Sequence, residues 1–98
     1  MAKSSSRHLQ GVQRRLEAAR ESQRVLEEQV QTWNEALDDM RIRTLVSETP
    51  QLQADYNELS KHVVAARAEL QRRSAEVSSL VRERDELLRE WVPKDEHG

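Results

Sequence analysis

Cysteine is absent from the 98 residues, which excludes disulfides, thiol nucleophiles and thiolate metal sites and leaves the redox compartment open. Phenylalanine is absent too, and one Tyr and two Trp are the only aromatic residues. A chain so poor in large rings cannot fill a thick globular core. Two Gly and two Pro leave little material for turns, and no glycine-rich phosphate loop is present. No apolar run approaches the roughly 18 residues of a membrane span. Residues 1–8 carry positive charge without the apolar stretch that a Sec signal requires, so the expected setting is the cytoplasm, with no membrane. Neither sign of charge dominates: the net charge of −2 gives no bulk attraction to nucleic acid or to an acidic membrane.

What is present is charge and helix-forming residues. Asp, Glu, Lys and Arg make up 35% of the chain, and mean hydropathy is −0.92. The composition belongs to the long-helix class rich in Ala, Glu, Leu and Arg. Arg outnumbers Lys 13 to 3, which suggests a GC-rich coding sequence and a bacterial source. One domain is the most that this length allows.

The helical pattern is broken once, at Ser47-Glu48-Thr49-Pro50. Pro50 has no N–H and biases Thr49 away from helical angles. Thr49 can cap a new helix with Pro50 at its first position, where a missing donor costs nothing. Before the break, a heptad runs from Leu9. Its a positions are Leu9, Leu16, Gln23, Val30, Leu37 and Thr44, and its d positions are Val12, Ala19, Leu26, Trp33, Met40 and Ser47. After the break, Leu52, Leu59, Ala66, Arg73, Leu80 and Leu87 hold d, while Tyr56, Val63, Leu70, Val77, Arg84 and Trp91 hold a. Nine of the first twelve and ten of the second are apolar, which is coiled-coil patterning.

The two heptads are out of phase. Ser47 and Leu52 are five residues apart where an unbroken d-to-d step is seven, so a single rod would swing the stripe by about 140° at ~100° per residue. A turn removes the conflict. The pattern predicts an all-α fold: an antiparallel two-helix coiled-coil hairpin occupying residues 1–98. Helix 1 is expected over about 6–46, the turn over 47–50, helix 2 over about 50–92 and a loose tail over 93–98, with Pro93 as the stop.

A register follows. Pairing residues whose numbers add to 96 sets every a against a d: Leu16 meets Leu80, Leu26 meets Leu70, Val30 meets Ala66 and Leu37 meets Leu59. The two mid-seam polar residues, Gln23 and Arg73, fall opposite each other and read as a register-fixing polar layer. Beside the seam, Arg15 is expected to face Glu83, Arg43 to face Asp55, His8 to face Glu90 and Glu27 to face Arg67. Exposed pairs of this kind select orientation more than they stabilise.

Apolar residues beyond the seam mark candidate partner-binding positions. Ile42, Leu45 and Val46 lie off the stripe near the turn, where they either wrap over it, as a hydrophobic staple does, or form a contact surface. Val81, Leu88 and Trp91 widen the opposite end, which is either capped by the N-terminal segment or offered to another chain. Quieter rows of small residues run along both helices: Gly11, Ala18, Ser22, Val25, Thr32 and Ala36 on the first; Val64, Ala68, Ala75, Ser78 and Val81 on the second. A bare two-helix hairpin buries little, so association into a four-helix or larger bundle is expected, most simply as a homodimer.

Chemistry is sparse. His8, His62 and His97 are scattered, with no His-x-x-x-His or Glu-x-x-His pair, so neither a metal site nor a cofactor is expected. Carboxylate neighbours such as Asp38-Asp39 read as solvated faces, and a thin hairpin offers no pocket that excludes water. The expectation is a non-enzymatic interaction, scaffold or adaptor module that binds itself and a further protein. A second reading, a small regulator of the transcription machinery or nucleic acid, rests on the basic N-terminal arm. Residues 1–24 carry six cations against Glu17 and Glu21, but residues 83–96 carry six acids against three cations and lie alongside in the hairpin. Nucleic-acid binding is therefore not favoured, and no basic zipper region or helix-turn-helix is present. A third reading, a secreted effector or chaperone subunit, requires an obligate partner.

The architecture is similar to the small helical hairpins of type VII secretion. Those carry Trp-x-Gly at the turn, where this chain has Ser47-Glu48-Thr49-Pro50; its nearest Trp reads Trp33-Asn34-Glu35 within a helix. The tyrosine-plus-acid signal after their second helix is also missing, and the chain is not assigned to that family. Hairpins that enter the RNA polymerase secondary channel have acidic tips, whereas this tip sets Arg41 and Arg43 beside Glu48.

Overall fold

The computed structural model describes the backbone of residues 2–97 and the side chains of residues 6–90. Two helices, α1 (Ala2–Val46) and α2 (Pro50–His97), form an antiparallel helical hairpin, with no strand among the described residues. The break at Ser47–Thr49 lies where the sequence places it.

Its hydrogen bonds explain why it needs no glycine. Ser47 N–H donates to the Arg43 carbonyl at 2.9 Å, adding one last helical bond to α1. Thr49 N–H then donates to the Ser47 carbonyl at 3.1 Å, and the chain reverses with no residue at positive φ. Thr49 caps α2 from both of its oxygens. Its side-chain Oγ1 accepts from Leu52 N–H at 3.2 Å, and its carbonyl accepts from Gln53 N–H at 3.1 Å.

Both outer helix ends run further than expected. α1 starts at Ala2, not near residue 6, because serine costs only about half a kcal/mol per residue in a helix and does not force a cap at Ser5 or Ser6. α2 passes through Pro93 to His97, so residues 93–97 are helical in backbone where a loose tail was expected. Pro93 withholds the donor owed to the Arg89 carbonyl and its ring crowds that carbonyl, at a cost of about 3 kcal/mol, yet the later residues keep their own donors and the backbone stays helical to His97.

Packing divides the chain into two compact units, one formed by Met1–Gln23 with Arg73–Gly98 and the other by Arg24–Arg72. In the first, Val12, Leu16, Ala19 and Leu80 form a buried cluster, with Val77, Val81 and Leu87 packed on it. Val12 and Leu16 are the most completely enclosed side chains, at 0% and 1% exposure. In the second, Leu26, Val30 and Ala66 are buried, with Trp33 and Leu70 against them, and Val63 is buried as well. Among the described residues, all eight that are buried occupy a or d positions. Each buried Leu or Val contributes roughly 1.5–3 kcal/mol.

Candidate functional site

The tip is built by the last turn of α1. Position a there is Thr44, which turns its hydroxyl onto the Arg41 carbonyl at 2.7 Å and is half-buried. Ile42, Leu45 and Val46 hold f, b and c, so the helix directs them away from α2. Their exposures are 58%, 78% and 84%. They do not fold over the turn. The turn carries the Thr49 cap, and Met40, Leu52 and Tyr56 near it are half-buried. Beside Leu45 the surface dips into an open depression of about 460 Å³, whose lining includes Glu48, Pro50 and Gln53.

The opposite end differs. Val81 is half-buried against the Val12–Leu16–Leu80 cluster, and Leu88 is half-buried as well. The side chain of Trp91 lies outside the described residues. Val81 is thereby committed to the chain's own core, and of the six apolar candidates only the three at the tip are both described and freely exposed.

The polar layer takes a crossed form. Gln23 Nε2 donates to Ser74 Oγ at 2.8 Å, and Arg73 Nη1 donates to the Ser22 carbonyl at 3.1 Å. Gln23 and Arg73 are both half-buried. No buried side-chain nitrogen or oxygen among the described residues lacks a partner.

Of the four flanking ion pairs expected, Arg15 with Glu83 is present, at 3.6 Å. His8 also reaches Glu83, at 3.2 Å, in place of Glu90. Arg67 donates to Asn34 Oδ1 at 2.6 Å in place of Glu27. Arg43 pairs with Asp39 of its own helix at 2.9 Å, while Asp55 accepts from Gln51. A residue four positions along the same helix is as near as one across the seam, and a flexible Arg stem takes the closer oxygen.

Two features escaped the sequence. His62 meets Trp33 edge-to-face, with ring centroids 4.3 Å apart at 74°, because its g position borders the seam beside that d residue. Next to Trp33, α1 presents a second open depression of about 440 Å³, bordered by Val25, Glu28, Gln29 and Thr32. The periodic row through Val25 and Thr32 was the available signal.

No family model, curated protein or solved structure matches this chain. No group of three or more His, Asp or Glu side chains capable of holding a metal occurs among the described residues. No described helix is long and apolar enough to cross a membrane.

Proposed function

We propose that this hairpin is a non-enzymatic protein–protein interaction module, a scaffold or adaptor, that engages its partner through the tip of α1. One observation carries the reading: Ile42, Leu45 and Val46 are adjacent, aliphatic and 58–84% exposed, while the turn beside them is closed without their help. Water-exposed aliphatic clusters are unfavourable unless a partner covers them. A cytoplasmic setting and coiled-coil self-association belong to the same proposal.

A photo-crosslinking residue placed at Leu45 tests it in the protein's own cells, with the same probe at Gln31, an exposed polar position, as the comparison. Adducts that form at Leu45 and not at Gln31 are expected. Equal labelling at the two positions, or none at Leu45, would overturn the reading.

A further inference from the structure

We propose that the tip receives a basic segment of another protein. A lysine or arginine side chain of that segment enters the depression beside Glu48, and aliphatic residues next to it cover Ile42, Leu45 and Val46. The inference rests on the tip being a contact surface and names the chemistry of what it contacts.

The depression suits a long side chain that is apolar along its length and charged at its end. Leu45 and Pro50 give it apolar walls, and its volume is about 460 Å³. Lysine and arginine lay their methylene stems along such surface while the charged head turns to oxygen atoms. Leu45 belongs both to this lining and to the exposed aliphatic triad, so one segment can cover the two together.

The polar groups of the depression are left as acceptors. Glu48 is exposed, and its carboxylate forms no ion pair or hydrogen bond among the described residues. Gln53 directs its amide nitrogen to Asn57 Oδ1 at 3.1 Å, which leaves its own carbonyl oxygen over. Thr44 directs its hydroxyl proton to the Arg41 carbonyl at 2.7 Å. No lysine, arginine or histidine is among the lining residues. Of the nearest cations, Arg43 is held by Asp39 at 2.9 Å, and Arg41 lies one turn before Leu45, outside the lining.

The end of α1 adds to the same sign of potential. Among the described residues, no backbone N–H donates to the carbonyls of Thr44, Leu45 or Val46, so the helix presents partial negative charge here. Charge complementarity then selects the occupant. A neutral segment laid over the triad would cover the Glu48 carboxylate without a partner, which is unfavourable, and an acidic one would be repelled. A lysine or arginine answers the carboxylate and the spare carbonyl oxygens at once.

Random short peptides displayed on phage and selected against the full chain test the proposal, with the enriched sequences resynthesised and titrated by fluorescence anisotropy. Enriched peptides are expected to carry lysine or arginine beside aliphatic residues, and to bind E48Q and L45Q each about tenfold more weakly than the natural chain. Glu48 makes no side-chain bond that folding would lose, so E48Q should keep its helicity by circular dichroism. E48K should lose these peptides and regain binding when their cation is replaced by glutamate. Peptides that weaken on L45Q but not on E48Q would overturn the basic segment and leave the tip as a contact surface. Peptides indifferent to both variants, or no enrichment at all, would overturn the basic segment too, and the Leu45 crosslink then decides the tip reading by itself.

Discussion

Gln23 and Arg73 each hydrogen-bond to the neighbour of the other: Gln23 to the Ser74 hydroxyl at 2.8 Å, Arg73 to the Ser22 carbonyl at 3.1 Å. These two bonds join residues whose numbers add to 97 and 95, bracketing the register of 96 that the apolar layers set. The layer thus ties the helices together by two crossed bonds, and a shift of either helix breaks both.

Replacing both members with leucine removes that restraint while adding apolar contact. Q23L/R73L is expected to be more stable by about 1 kcal/mol in urea unfolding, since half-buried polar groups stabilise less than packed methyls. Its register should also become mixed. L16C/L80C introduced into the natural chain should give one intrachain crosslink, whereas in Q23L/R73L a heptad-shifted cysteine pair should crosslink as well.

Leu16 is enclosed to 1% exposure, whereas Leu37, also an a residue, is half-buried. Leu16→Ala should therefore cost roughly 2–5 kcal/mol of unfolding free energy. Leu37→Ala should cost clearly less. Equal losses at the two sites would show that the burial difference has no energetic meaning.

Thr49 supplies the cap that starts α2. Thr49→Ala should cost about 1 kcal/mol and Thr49→Ser only a few tenths, because serine retains the acceptor. Thermal unfolding followed by circular dichroism separates the two.

Leu45→Gln alters a side chain that is 78% exposed, so stability should change by no more than about 0.5 kcal/mol. Labelling of partner by a crosslinker at neighbouring Val46 should nonetheless fall. Loss of labelling together with loss of helicity would instead mean that Leu45 supports the fold.

The basic N-terminal arm gives a separate test. Arg15 lies 3.6 Å from Glu83, so its charge is partly answered within the chain. Binding to duplex DNA at physiological salt should be no tighter than the non-specific range of about 10⁻⁴–10⁻⁶ M, and R7Q/R14Q/R15Q should leave it within that range. Tighter, salt-sensitive binding that weakens uniformly in the triple variant would favour a nucleic-acid regulator.

The seam and the turn were legible in the sequence because both rest on strong local rules. A repeat of 3.5 residues places Val12, Leu16, Val30 and Leu80 inside whatever the surface does, and Thr49-Pro50 has one comfortable place in a helical chain. The flanking charges were less legible. Arg43 had a facing Asp55 and a same-helix Asp39 at similar distances, and periodicity does not rank them. For Ile42, Leu45 and Val46 the sequence left two outcomes open, wrapping over the turn or forming a contact surface, since which one holds depends on what else closes the turn. The crossed bonds of the polar layer needed coordinates: Ser22 and Ser74 look like ordinary flanking serines until their directions are known.

The three-residue turn has a consequence in time. The loop to be closed before Leu52 and Tyr56 can meet α1 is the shortest the chain offers, so its entropic barrier is the lowest. Contacts between residues as distant in sequence as Val12 and Leu80 are faster to form once nearer layers have shortened the gap between them. Folding should therefore zip outward from Thr49. Substitutions near the turn would slow folding, while those in the Val12–Leu80 cluster would chiefly hasten unfolding.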